Sequence, residues 1–418
     1  VFAATLAELD VATAMAPAID DLRPIAAAGG NLLVLAYGKA ARAMAQALVT
    51  GLPGARLRGL VVPPEPDTAP LPPFEVIAGG HPLPSAGSLA AGRRALELAR
   101  SAAADETVVF LASGGGSAML EQPIDDSVTL ADLQGLHRAL VGSGADIVAM
   151  NTVRKHVSAV KGGRLALAAR AAGSQRTIVI SDVPDRPGAA VASGPSTVDA
   201  STPEQCRAVL DRFELWSHLP ARLRERLERG EVPPRLMDAT AGMPPLAVAT
   251  IACNRRARAA ARAHLAALGV LAVDDVVDDT PCAHTTWHLL RRLDRLRRRH
   301  PGRVVAVVSG GELSVPLPAE TGTGGRNQQF ALHCARLIRG RRVAVLSAGT
   351  DGVDGNSPAA GAVVDGSTML RARALGLDVH EHLRRFDAFP LLHALGDTVQ
   401  TGPTGTNVRD LRICVARG

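Results

Sequence analysis

Aromatic residues make up only 2% of the 418 positions. A base-stacking platform for nucleic acid needs several such rings. The net charge of +6 is therefore not read as a nucleic-acid footprint, and the basic residues are dispersed rather than massed. Cysteine is scarce and scattered: Cys206, Cys253, Cys282, Cys334 and Cys414, with no CxxC pair. That odd, widely spaced set argues against a disulfide or zinc framework and for a reducing, cytoplasmic compartment. No apolar run reaches the ~18 residues that a membrane span takes. The opening VFAATLAELD lacks the basic start and long apolar core of a secretory signal. Neither membrane insertion nor export is expected. Lysine is rare as well. Of 46 Lys and Arg residues, only Lys39, Lys155 and Lys161 are lysines. Lysine is a compact, strongly hydrated point charge, and these three sit in glycine-bearing or cation-dense stretches.

A chain this long exceeds one ordinary core, so two domains are expected. The charged, then Pro-rich, segment 203–240 marks the boundary. It gives an N-terminal α/β domain over 1–240 and a C-terminal α/β domain over 241–418. Apolar strands recur, each delivering a glycine-bearing turn. Leu32–Tyr37 leads to Gly38-Lys39, and a helix follows from Ala40. Strand, Gly-Lys, helix start is a phosphate-site arrangement, because a helix N-terminus offers free N–H groups and partial positive charge. It is not a Walker A loop, since Leu33 and Ala40 stand where that motif needs Gly and Ser or Thr. Thr107–Ala112 leads to Ser113-Gly114-Gly115-Gly116-Ser117. Val304–Val308 leads to Ser309-Gly310-Gly311-Glu312, and ten residues later to Gly322-x-Gly324-Gly325-Arg326-Asn327-Gln328-Gln329. Such a loop suits either a mobile connection or a close approach to an anionic oxygen.

Several polar residues stand at strand ends. His81 follows Gly79-Gly80, where a ligand contact and a structural turn are equally expected. Asp182 follows Thr177–Ile180 and reads as a metal or substrate-hydroxyl contact, or as a turn cap; Asp185 lies close by, and Asp351 ends another strand. The segment 145–172 reads as one helix that places Arg154 and Lys161 on a common face, with Lys155 adjacent. His284 and His288 have helical i, i+4 spacing, but Thr285 replaces the glutamate of HExxH.

Taken together, GKA at 38–40, GGHPLP at 79–84, SGGGSAML at 113–120, NTVRKHVSAVKGGRLA at 151–166, SDVPDRP at 181–187, GTGGRNQQ at 322–329, AGTDGVDG at 348–355 and TGPTGTNV at 401–408 make the chain resemble the class II glycerate 2-kinases. These carry a MOFRL C-terminal region, and some members are labelled hydroxypyruvate reductases. The segment DDTPCAH at 278–284 departs from the pattern, where a GEAR-like helix start is expected. The resemblance implies two α/β domains with mainly parallel sheets and an active-site cleft between them. It implies ATP and Mg²⁺ or another divalent metal as cofactors, and transfer of a phosphoryl group to the 2-hydroxyl of D-glycerate.

Phosphoryl transfer needs cations on the phosphates, a metal and an oriented hydroxyl. Lys39, Arg326 and Asp182 are the expected catalytic residues. Ser113, Gly114, Gly115, Gly116, Ser117, Gly324 and Gly325 would receive nucleotide phosphates. His81, Arg154, Lys155 and Lys161 would contact substrate, and Asp182, Asp185 and Asp351 are the candidate metal ligands. A hydride-transferring reductase is the rival reading, but no GxGxxG occurs. Oligomeric state stays open, a homo-oligomer included.

Overall fold

The computed structural model describes residues 1–418 apart from 185–189, 239–241, 279, 317–319 and 418. Asp185 thus lies outside the described residues. The chain divides into two compact units: Ala14–Ile251, and Ala252–Gly418 together with Val1–Thr13. The division expected after residue 240 ignores the strand that follows it. Leu246–Ala252 completes the sheet of the first unit rather than opening the second.

The first unit holds β1 (Asn31–Tyr37), β2 (Arg56–Val62), β3 (Glu75–Val76), β4 (Glu106–Ala112), β5 (Ser174–Ile180) and β6 (Leu246–Ala252). Their order in the sheet is β3-β2-β1-β4-β5-β6. β1 pairs in parallel with both β2 and β4, and β4 with β5. Every residue of β4 is buried, as its continuous apolar run requires when helices cover both faces. Chain order runs one way from β1 to β3 and the other way from β4 onward. The carboxyl ends of β1 and β4 therefore flank the point where the strand order reverses, which is where open α/β sheets bind ligands.

The second unit contains β7 (Leu271–Val276), β8 (Thr280–Pro281), β9 (Val304–Gly310), β10 (Leu313–Ser314), β11 (Val343–Gly349), β12 (Gly361–Asp365), β13 (Thr398–Val399) and β14 (Asp410–Arg417). β8 and β10 form a small separate ladder, and the larger sheet has the order β13-β12-β11-β14-β9-β7. The expectation of a mainly parallel sheet fails here. In the larger sheet β14 is antiparallel to both β11 and β9, and β12 is antiparallel to β11 and β13; among its described pairings only β7 with β9 is parallel. The last strand of the chain inserts at the centre of the sheet, a non-local pairing that strand patterning does not reveal. The alternation along β9 serves two cores. Val305 and Val307 pack with Leu289, Leu293 and Phe330. Ala306 and Val308 pack with Ala261, Leu265, Ile413 and the N-terminal Phe2.

The two successive helices Phe2–Leu9 and Val11–Ala27 together are long and apolar enough to cross a membrane by length and composition. Phe2, Leu9, Met15 and Leu22 are buried within the protein, as in a helix serving a core.

Candidate functional site

At the reversal point of the first sheet, the β1 turn and the β4 turn are stitched together. The backbone N–H of Lys39 donates to the Gly114 carbonyl at 2.8 Å, and the Ala40 N–H donates to the Ser113 hydroxyl at 2.9 Å. The helix Ala41–Gly51 begins there with Ala40 at its cap position and no side-chain cap. Its first N–H groups thus keep the partial positive charge of an uncapped helix start. Lys39 immediately precedes it. Its side chain is exposed and makes no ion pair among the described residues.

Two glycines set the spacing around Lys39. Gly115 is left-handed, with φ of 83°. A β-carbon on it would lie 3.0 Å from His81 and 3.2 Å from the Lys39 stem, so both side chains lean over this glycine. A β-carbon on Gly114 would collide with the carboxylate of Asp182. Lys39, His81, the 113–117 loop and Asp182 are thereby gathered at the ends of three adjacent strands and the turn after Gly80. Burial holds the His81 imidazole below its ordinary pKa, and the neighbouring Lys39 charge adds to this.

The rear of the loop is also fixed. The Ser117 hydroxyl lies 2.8 Å from that of Ser193, which donates to Asn151 Oδ1 at 2.9 Å. Ala192 and Ser193 both adopt positive φ, 53° and 58°, which is costly for non-glycine residues and concentrates at functional sites. Sequence patterning marks Ala192–Thr197 only as a polar loop. Tyr37 is buried, as expected of a packed residue, with its hydroxyl 3.3 Å from Ser196.

The helix carrying Arg154 ends at Val157, and Gly162 and Gly163 are left-handed. The single face expected to join Arg154 to Lys161 therefore does not exist. Lys161 is fully buried and ion-paired with Glu121, whose other oxygen accepts from the Ser158 hydroxyl at 2.6 Å. Lys155 is buried against Asp199, 2.9 Å away. Arg154 differs from both. Its guanidinium is largely buried, its Nε has no hydrogen-bond partner, and it makes no ion pair among the described residues. Burial lowers its pKa, opposed by the Glu121 charge. An unpaired buried guanidinium is suited to a carboxylate or phosphate.

In the second unit, Gly322, Gly324, Gly325, Arg326, Asp351 and Phe386 line a cavity of about 600 Å³. The helix Arg326–Leu337 starts here, but its N-terminus is already answered. Asp354 accepts the backbone N–H groups of Asn327 and Gln328 at 3.0 and 2.9 Å, and their side-chain amides at 3.2 and 3.1 Å. Burial pushes its carboxyl up to about 6 in spite of these donors. Asn327, Gln328 and Gln329 are buried and serve the fold. Arg326 is held by Asp410 through Nε and Nη2 at 2.7 and 3.0 Å, and by Glu312 at 3.0 Å. Asp351 lines the same cavity and accepts from the Val353 N–H at 3.2 Å. Gly310, Gly311 and Val277 turn their carbonyls onto the buried Arg412. His288 lies 3.0 Å from Asp275, and the described residues contain no cluster of three or more metal-ligating side chains.

These features define an α/β protein whose candidate anion site lies at the reversal point of a parallel sheet. Comparison with known proteins places it further. A domain of unknown function, DUF4147, matches residues 1–228, and the MOFRL family matches 305–410. The chain belongs to the family that combines these two regions. A protein of Agrobacterium vitis named "Putative hydroxypyruvate reductase" is 36% identical over 92% of this chain and 86% of its own length. The glycerate 2-kinase of Pyrococcus horikoshii is 34% identical over 92% and 87%. The crystal structure of glycerate kinase from Thermotoga maritima superposes with a TM-score of 0.86 at 32% identity, covering 99% of this chain and 96% of that one.

Proposed function

We propose that the protein transfers the γ-phosphoryl group of ATP to the 2-hydroxyl of D-glycerate. The observation that carries this is the unpaired Lys39 on an uncapped helix start, set against a glycine loop and Asp182 where the strand order reverses. Phosphoryl transfer asks little covalent chemistry of a protein and much positioning of charge. Relatives named glycerate 2-kinase and D-glycerate 2-kinase supply the substrate and the position attacked.

In this reading Lys39 and the helix start hold phosphate oxygens, and the 113–117 loop lets the nucleotide backbone approach closely. Asp182 either accepts the proton of the attacking hydroxyl or holds Mg²⁺. One carboxylate suits Mg²⁺, which keeps waters and takes its remaining oxygens from substrate phosphates; bound there, it would offset phosphate charge. His81 and Arg154 receive the glycerate carboxylate. Lys155 and Lys161 already have buried carboxylate partners, and their part is to shape the pocket wall. In the second unit Arg326 offers a guanidinium to a phosphoryl or carboxylate group, with Gly324 and Gly325 allowing close approach. Asp351 is the second candidate for a metal.

Lys39→Ala tests the assignment. The expected result is a loss of ATP-dependent glycerate phosphorylation on the order of 10²-fold or more, the scale seen when a group aimed at developing charge is removed. The circular dichroism spectrum and melting temperature should stay unchanged. Near-normal turnover refutes the role of Lys39.

A further inference from the structure

Six charged side chains of the second unit alternate in sign: Asp278, Arg409, Glu312, Arg326, Asp410 and Arg412. Arg409 grips both oxygens of Asp278 at 2.6 and 2.5 Å. Glu312 Oε1 is 3.0 Å from Arg326 Nη2 and 3.8 Å from Arg409 Nε. Asp410 holds Arg326 from the other side, with Arg412 Nη1 3.7 Å beyond. The chain is anchored at its buried members: side-chain exposure is 1% for Asp410, 0% for Arg412 and 6% for Arg409, against 36% for both Arg326 and Glu312. Among the described residues the row is most exposed at the Arg326–Glu312 pair, with Asp278 at its far end 22% exposed, and Arg326 lines the cavity. Arg409 is held with φ of 74°, and its carbonyl accepts from both the N–H and the hydroxyl of Thr350 at 3.1 and 2.7 Å. A strained, over-determined backbone therefore delivers its guanidinium to the far side of Glu312.

Arg326 enters the cavity already neutralised. Asp410 and Glu312 both pair with it, and Asp354 lies close enough to add to the negative field. An arriving phosphoryl group would meet repulsion unless one carboxylate withdraws. Asp410 is buried and doubly bonded. Glu312 is half-buried, meets Arg326 at one nitrogen where Asp410 meets it at two, and is already near a second cation.

We propose that Glu312 is a placeholder carboxylate: it occupies Nη2 of Arg326 until a dianionic phosphoryl group arrives, then passes to Arg409. The proposal rests on the reading that Arg326 meets an anion. It makes Glu312 a positioning residue that limits affinity instead of supplying it.

Calorimetric titration with inorganic phosphate tests this on wild-type protein, Glu312→Gln, Arg326→Ala and the double variant. The expected result is phosphate binding about threefold tighter in Glu312→Gln, the size set by a partly exposed ion pair. The gain should vanish when Arg326 is alanine. Glu312→Asp keeps the charge, shortens the reach, and should tighten binding to a smaller extent; it provides the readout if Glu312→Gln is unstable. Equal or weaker phosphate binding in both Glu312 variants, in an enzyme whose Arg326→Ala form binds phosphate poorly, overturns the placeholder role alone. Unchanged phosphate binding in Arg326→Ala overturns the reading beneath it and the placeholder role with it.

Discussion

The carboxylate of Asp182 lies against the α-carbon of Gly114, in the space a β-carbon would fill. β4 and β5 are adjacent parallel strands, and the turn after each brings its first polar residue over the same end of the sheet. Gly114→Ala should therefore displace Asp182 while leaving the sheet intact. A shift of about 1 Å in a positioning group can cost on the order of 10²-fold. Glycerate phosphorylation should fall by about that factor, with a melting temperature close to wild type. Full activity in Gly114→Ala would show that Asp182 need not sit there.

The proximity of His81 to Lys39 has its own signature. The Lys39 charge disfavours the imidazolium, and burial disfavours it more. Lys39→Met removes only the smaller cause. The pKa of His81, followed by its ring-proton NMR signals, should rise while staying below the ordinary histidine value. A midpoint unmoved by Lys39→Met contradicts the arrangement.

The buried pair of Lys161 and Glu121 predicts a stability effect. Breaking a buried pair from one side strands the other charge and costs about 3–5 kcal/mol. Lys161→Met should show that loss in urea unfolding. Lys161→Met combined with Glu121→Leu should recover part of it, because Glu121 is then not stranded, while Arg154 loses the field of that carboxylate. An additive double variant would show that the two charges act independently.

Asp354 links stability to pH. Its carboxyl is raised to about 6 in the folded protein against 3.8 for the ordinary group. The folded state holds this proton more tightly, so the contribution is present below the ordinary value and is lost as pH rises through about 6. From about pH 4 to pH 6.5, wild-type protein should lose stability relative to Asp354→Asn, measured by chemical unfolding at each pH. A difference that moves the other way contradicts the raised pKa.

Much of this site is legible in the sequence. Gly38-Lys39 after a buried run, the Ser113–Ser117 loop, His81 behind two glycines and Asp182 at a strand end each follow from a strand pattern broken by turn residues, and the fold gathers them. What the sequence hides is long-range. Glu121 and Asp199, the partners that internalise Lys161 and Lys155, lie about forty residues from them in the chain. The left-handed pair Gly162 and Gly163 cuts a segment that reads as continuous helix. The GTGGRNQQ loop reads as an anion site, yet Asp354 supplies the anion from within. The central place of β14 is set by pairings across the whole second unit, which local patterning does not encode.

The most direct measurement is ³¹P and ¹H NMR of the product formed from ATP, Mg²⁺ and D-glycerate, with a parallel assay of NADH and hydroxypyruvate. The kinase reading predicts 2-phosphoglycerate and ADP in the first and no NADH oxidation in the second. NADH oxidation without phosphoryl transfer, or a phosphate on the 3-hydroxyl, would contradict it.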